Sequence, residues 1–330
     1  MYNSPDKHIS QVAVKKKSIA SISLDLDNQW SYMKIHGDSG WEKFPSYFDR
    51  FIPRVLDLLE QLNLKITFFI VGQDAALDKN KEYISQLVKN GHEVGNHSFH
   101  HASWLHLYPK EKIKSEILNA EENITHVTGK KPKGFRGPGF SWSKNLIEVL
   151  IELGYTYDAS TLPTFVGPLA RFYYFKTSKL TSEEKKERKK LFGTFKDGFR
   201  PIKPYYWKVN ENKKLLEIPV TTIPFIKTPF HLSYLIYLNN ISPFLMRRYL
   251  NMAITFCKAT KTSPSFLLHP LDLIGGDSVP ELKFFPGMSL KSELKTKIFI
   301  DVINFLSGDY ELVNMSRHAN SYITSKLNAA

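Results

Sequence analysis

Residues 18–28 read "SIASISLDLDN", and the fold turns on how that stretch is taken. Apolar and small polar residues alternate through Leu26, the period of a strand whose two faces meet different surroundings. The run closes on Asp25 and Asp27, two apart on one face, with Leu24 and Leu26 on the other. A strand that ends in carboxylates delivers them to the C-terminal edge of a sheet, where parallel barrels build their active sites.

Downstream, short apolar runs alternate with stretches of helical period. Phe48, Phe51, Val55, Leu58, Leu59 and Leu62 form a helical stripe, and "KITFFIVG" (65–72) reads as a buried strand closed by glycine. A helix to Asn90 precedes "HEVGNH", a third short strand. "PKEKIKSEILNAEENITHVTG" (109–129) is a helix started by Pro109, stopped by Gly129 and lined by Ile113, Ile117, Ala120, Ile124 and Val127. "GFRGPGF", a helix from Ser143 to Gly154 and "YTYDAS" follow; then come "LLEIPVT" (215–221), a helix near 241–260, "SFLLH" (265–269), a helix near 290–307 and "YELVN" (310–314). Such alternation predicts a parallel sheet or barrel in one α/β domain over residues 18–320, after a flexible segment at 1–17 and before a tail at 321–330. Residues 162–214 break the pattern: they are aromatic (Phe165, Phe172, Tyr173, Tyr174, Phe175), then charged in "KLTSEEKKERKK", then aromatic again in "PYYW". We read them as an insertion, with the charged run an exposed helix.

The 330 residues are 42% hydrophobic and 23% charged, ordinary for a folded chain, with a formal charge of +13. That charge calls for an acidic partner: nucleic acid, an anionic membrane face or a phosphorylated substrate. A nucleic-acid-recognition motif is absent, so specific nucleic-acid binding is not expected. Cys257 stands alone, which excludes an internal disulfide and fits a reducing compartment. The expected address is therefore cytoplasmic, extended to peripheral contact at the inner membrane face. "TPFHLSYLIYLNNISPFLM" (228–246) is free of Asp, Glu, Lys and Arg but is interrupted by His231, Asn239, Asn240 and Pro243, so it reads as a core or interfacial segment.

The chemistry gathers at strand ends. "GHEVGNHSFHH" (91–101) holds four histidines, and His97 and His101 are four apart, a spacing that on a helical turn puts both imidazoles on one face. Two imidazoles and one carboxylate make a three-ligand metal site with an open position. His92, at a strand start, reads as structural, and His100 points off the pair's face. Arg136 and the Gly-Pro-Gly turn, Asp158 in "YDAS" and His269 in "SFLLHP" supply further groups at other strand ends.

On these residues the chain resembles the polysaccharide deacetylases, the nodulation-type chitooligosaccharide deacetylase superfamily grouped as carbohydrate esterase family 4. "SLDLDN" resembles its first motif, though Leu26 separates aspartates that are usually adjacent. His97-Ser98-Phe99-His100-His101 matches the second motif, "RGPGF" the third with Gly139 where tyrosine is common, Asp158 the fourth without its tryptophan, and Leu267-Leu268-His269 the fifth. The resemblance implies a distorted (β/α) barrel of about seven strands and hydrolysis of an amide carbon–nitrogen bond. It implies Asp27, His97 and His101 as ligands of Zn²⁺ (Co²⁺, Mn²⁺ or Ni²⁺ in its place), with Asp25 as general base. His269 would be the general acid, Asp158 its partner, and Arg136 the group orienting Asp25. Gly139, beside Pro138, would serve the oxyanion.

The implied substrate is an N-acylated amino sugar. The basic balance, the aromatic insertion and the apolar 225–250 segment together suggest work at the inner membrane face, and extend this to a lipid- or nucleotide-linked sugar used in glycoconjugate assembly. Two alternatives share the fold: an amidohydrolase acting on a small non-sugar amide, which a polar pocket without aromatic walls would favour, and an inactive carbohydrate-binding protein.

Overall fold

The computed structural model describes residues 17–168, 172, 179–187, 194–210 and 213–328. Nine strands form one sheet: β1 (Ser18–Leu26), β2 (Thr67–Ile70), β3 (Glu93–Asn96), β4 (Gly134–Phe135), β5 (Tyr157–Asp158), β6 (Tyr205–Lys208), β7 (Lys214–Glu217), β8 (Ser265–Leu268) and β9 (Tyr310–Val313). Eight run in the order β6-β7-β5-β4-β3-β2-β1-β8, and β9 pairs with the first half of β1. All pairs are parallel except β6–β7. The sheet curls into a barrel of more strands than the seven expected, because the β6–β7 hairpin extends it at one edge. Residues 218–221 bridge the gap at the other side, where Val220 N–H donates to the Thr161 carbonyl and Thr221 N–H to that of Ser265.

Period-two patterning sets what each face does. Ala20, Ile22, Leu24 and Leu26 of β1 join the large apolar core beneath the helices. Ser21, Ser23 and Asp25, on the other face, turn to polar partners inside the barrel: Ser21 Oγ meets His318 Nδ1 at 2.8 Å and Ser23 Oγ accepts from Arg136 Nη1 at 2.9 Å. The strand therefore has an oily outside and a wet inside, the arrangement its sequence alternation encodes.

Among the described residues the helices are α1 (Gln29–His36), α2 (Phe48–Gln61), α3 (Gly72–Ala76), α4 (Asp78–Lys89), α5 (Lys110–Thr128), α6 (Lys144–Glu152), α7 (Ser182–Glu187), α8 (Leu232–Ile241), α9 (Pro243–Ala259), α10 (Ser292–Asp309) and α11 (Met315–Leu327). α5 follows the expected limits. Gly129 adopts φ 67° and its N–H closes on the Thr125 carbonyl, a left-handed stop that suits glycine. Ser143 caps α6 by accepting from Leu146 N–H, and Ser242 caps α9 in the same way from Leu245 N–H.

Two expectations change. The tail at 321–330 continues as α11 through Leu327, because the N-terminal end of that helix plugs the barrel floor. There Met315 N–H donates to Thr67 Oγ1 at 2.8 Å and Ser316 hydrogen-bonds Glu93. The supposed insertion 162–214 yields β6, a member of the sheet. Tyr173, Tyr174 and Phe175, the last three residues of the charged run and most of the N-terminal segment lie outside the described residues; the run's described part contains α7. None of the described helices is long and apolar enough to cross a membrane.

Candidate active site

The strand ends β1, β3, β4 and β8 open together into a cavity of about 730 Å³ lined by Asp25, Asp27, His97, His101, Gly139 and His269. Asp25 is the penultimate residue of β1. Asp27 lies just beyond the strand, where its N–H folds back onto the Asp25 carbonyl at 2.8 Å and Tyr47 Oη donates to its own carbonyl.

His97 and His101 come together through a loop, not the helical turn expected from their spacing. β3 stops at Asn96, whose Oδ1 accepts from Ser98 N–H, and Ser98 and His101 both adopt left-handed backbone, at φ 62° and 50°. Gly72 and Gln73 N–H groups of α3 hold the Ser98 and Phe99 carbonyls and fix the loop. Strained φ values of this kind persist where the surroundings over-determine them.

The cluster has the donor set and the convergence of a metal site. One ligand atom from each of Asp27, His97 and His101 lies within 4.8 Å of the others, and all three residues are buried. His97 Nδ1–H donates to the Arg136 carbonyl at 2.7 Å, which turns the bare Nε2 toward Asp27 Oδ1 at 3.6 Å. His101 Nε2 stands 2.9 Å from that same oxygen, yet Asp27 Oδ1 is buried without a hydrogen-bond partner. Atoms this close without hydrogen-bond geometry are aimed at a common point, so the residues fit a divalent ion. Burial alone would raise the Asp27 pKa, but His101 and His97 outweigh it and hold the carboxyl well below its usual range. His97 is pushed up despite burial, by Asp25, Asp27 and the Arg136 carbonyl, whereas burial keeps His101 down. One imidazole therefore gains a proton more readily than the other.

Asp25 is held from behind. Arg136, fully buried at the end of β4, donates from Nη1 to Asp25 Oδ1 at 2.6 Å, from Nη1 to Ser23 Oγ and from Nε to the Ala159 carbonyl at 3.0 Å. Its guanidinium lies 4.3 Å over the Phe69 ring. That ring leaves no room for a side chain at residue 95, where a Cβ would fall 2.5 Å from it, so β3 carries Gly95 there. Asp25 Oδ2 remains facing the cluster, 4.0 Å from His97 Nε2. Removing one member of a buried pair strands the other charge, at a cost of about 3–5 kcal/mol.

His269, one residue past β8, has a different partner from the one expected. Asp272 Oδ2 accepts its backbone N–H at 2.8 Å and lies 3.7 Å from its Nδ1. Burial opposes the charge, but Asp272, then Asp25 and Asp27, carry the His269 pKa up to about 9. Asp158 turns away to accept from Ser160 Oγ at 2.5 Å, beside Glu217, which accepts from Thr161 and Trp207. Burial and the Glu217 charge push Asp158 well above the usual carboxylate range. Its strand end faces the correct rim, but its partners are Ser160 and the neighbouring Glu217, not His269.

Gly139 stands in a 3-10 turn, Pro138–Phe140, at φ 62°, with Pro138 buried beneath it. His92 accepts from Ile66 N–H and His100 bonds Glu116, both away from the cluster. Trp142 reaches the cavity, but its ring stacks on Trp207 and carries Arg200 at 3.8 Å. Sequence reasoning missed Asp272, three residues after His269 in "HPLD", and His231, noted only as an interruption. His231 is buried 6.1 Å from the His269 ring and pushed down to about 3, first by burial and then by that neighbour.

Residues 35–157 match the family described as polysaccharide deacetylase. That segment contains His97, His101 and Arg136 but begins after Asp25 and Asp27 and ends before His269. The chain is 28% identical over 154 residues to the peptidoglycan deacetylase of Helicobacter pylori, covering 44% of this chain and 50% of that protein. It is 32% identical over 138 residues to a peptidoglycan-N-acetylglucosamine deacetylase of Bacillus cereus, covering 41% and 58%. The chain thus spans little more than half the length of these relatives. A polysaccharide deacetylase structure from Mycobacterium smegmatis shares the fold over 96% of this chain and 94% of its own, with TM-score 0.60 and 18% identity. Residues 35–157 thus match the polysaccharide deacetylase family model, within a fold shared with a polysaccharide deacetylase structure.

Proposed function

We propose that the protein is a metal-dependent N-deacetylase that hydrolyses the amide of an N-acylated amino sugar. The observation that carries this is the placing of Arg136-held Asp25 and Asp272-held His269 on one cavity with the Asp27–His97–His101 cluster. Asp27, His97 and His101 would hold the ion, which when bound supplies Lewis-acid polarisation of the amide carbonyl. Asp25, its other oxygen fixed by Arg136, takes a proton from the attacking water as the carbon–oxygen bond forms. His269, kept protonated by Asp272, gives a proton to the nitrogen as the carbon–nitrogen bond breaks, so that an acid and a neutral amine leave. Pro138 and the left-handed Gly139 shape the wall on which the acyl oxygen rests.

The finer reading is an amino sugar linked to a lipid or a nucleotide. The lining supports the lipid arm: Phe140, Leu162, Val166, Ile236 and Phe285 share the cavity with the polar groups. Those aromatic and aliphatic walls count against a small polar amide. In the relatives' names the substrates are peptidoglycan and its N-acetylglucosamine.

Acyl release by the metal-loaded protein would be measured on four substrates: a polyprenyl-phosphate-linked N-acetylhexosamine, a nucleotide-linked one, a chitooligosaccharide and a small non-sugar amide. Release from an amino-sugar substrate that falls about 10²–10⁴-fold in Asp25→Asn is the expected result. Release from the non-sugar amide alone would replace the sugar reading, and silence on all four would overturn the hydrolase.

A further inference from the structure

We infer that the cavity mouth is a docking surface for an anionic lipid bilayer, which presents the substrate to the site. The inference rests on the reading above only in taking this cavity as the place of reaction. Single exposed apolar side chains are normal on any protein. Here they come from three separate segments around one opening. Tyr234 and Tyr237 of α8 and Phe284 line the cavity and are also exposed, Tyr237 to 66%. Phe199, exposed to 73%, stands in the turn that also brings Asp197 and Arg200 to the cavity.

From α8 the apolar face runs on past the mouth. Ile241 at its end and Phe244 at the start of α9 are exposed to 61% and 71%, followed by Leu245. This corner lies inside the stretch 228–246, which is free of Asp, Glu, Lys and Arg. Next come Arg247 and Arg248, both exposed, with Arg248 leaning over the Phe244 ring at 5.7 Å and Arg247 4.0 Å from Asp301. Lys283 and Lys291 are exposed on the side of Phe284. Aromatic and aliphatic groups flanked by these four cations, with Glu281, Glu293 and Asp301 exposed on the same segments, match the two layers of a bilayer interface, acyl chains beneath and anionic headgroups above. The formal charge of +13 acts in the same direction. A soluble polymer offers no counterpart for Ile241 and Phe244, which the cavity does not use.

The full chain would be sedimented with vesicles of phosphatidylcholine and of phosphatidylcholine containing about one-third phosphatidylglycerol. Wild-type protein should pellet with the anionic vesicles. Ile241→Ser/Phe244→Ser should weaken that partition at least about tenfold at an unchanged melting temperature. Arg247→Glu/Arg248→Glu, which keeps the apolar corner, should abolish the preference for anionic lipid. Neither pair lines the cavity, so release from any water-soluble substrate stays at the wild-type rate. Wild-type protein that ignores anionic vesicles, or a serine variant that binds as wild type does, would overturn the inference. So would a self-associating wild type that the serine pair turns monomeric without any change in vesicle binding; that result would assign the face to a second copy. Vesicle binding needs no turnover. Its loss with Asp25-dependent hydrolysis intact sinks the docking alone, and the reverse sinks the hydrolase alone.

Discussion

Asp272 holds His269 twice, taking its backbone N–H at 2.8 Å and standing 3.7 Å from its Nδ1. The loop that carries Asp272 is itself fastened. The buried Lys295 of α10 donates to the carbonyls of Leu271 and Ile274, on either side of it, at 2.6 and 2.9 Å. The protonation of His269 is thus a property of a tethered loop.

A direct consequence is a pH limit. His269 is raised from an ordinary 6.5 to about 9, so as general acid it works below that value, and kcat should fall as pH rises through it. Asp272→Asn removes the nearest negative charge and should move this alkaline limb down by about 1–2 pH units. The stability tied to the charged imidazole has the same sign: it is full below 6.5 and lost as pH rises through 9. A pH–kcat profile of both proteins checks it. An unmoved limb would remove His269 from the acid's role.

Metal binding should be visible without turnover. If Asp27, His97 and His101 hold the ion, zinc at about 100 times its Kd adds about 2.7 kcal/mol to unfolding stability. Urea titrations with and without zinc should show that increment in wild type and its loss in His101→Ala. An equal increment in both would place the ion elsewhere.

Asp158 should tolerate neutralisation. Its folded pKa lies above the ordinary value of 3.8, so the unfolded chain ionises first and stability drops as pH climbs from there through the folded value. Asp158→Asn cannot ionise, and its urea midpoint near pH 8 should equal or exceed that of wild type, with activity within about threefold. A fall in kcat beyond about 100-fold in a folded variant would return Asp158 to the chemistry.

Four of the strands were legible because each closes on or beside a residue out of place in a core. Asp25, Arg136, Asp158 and His269 announce the C-terminal rim before any coordinates. What that pattern states is the rim, not the neighbour. Asp158 therefore read as the partner of His269, although Glu217 claims it and the loop residue Asp272 takes the role. His97 and His101 do come together, but not by the expected route: a four-residue spacing can close on a helical turn or on a loop with two left-handed residues. β6 was hidden in an aromatic stretch whose pairing with β7 is a tertiary fact. His231 was hidden by its apolar neighbours.

β1 pairs with β2 soon after it in the chain, but also pairs Ser21 with Ser265 and Ser18 with Tyr310, so two of its partner strands are synthesised long after it. At ribosomal speeds the wait from β1 to β8 is on the order of 10–50 s. Through that interval one edge of an apolar strand stands open to mispairing with other chains, and Asp25 has no His269 to work with. Asp25 and His269 can therefore share a cavity only after β8 has been made and paired.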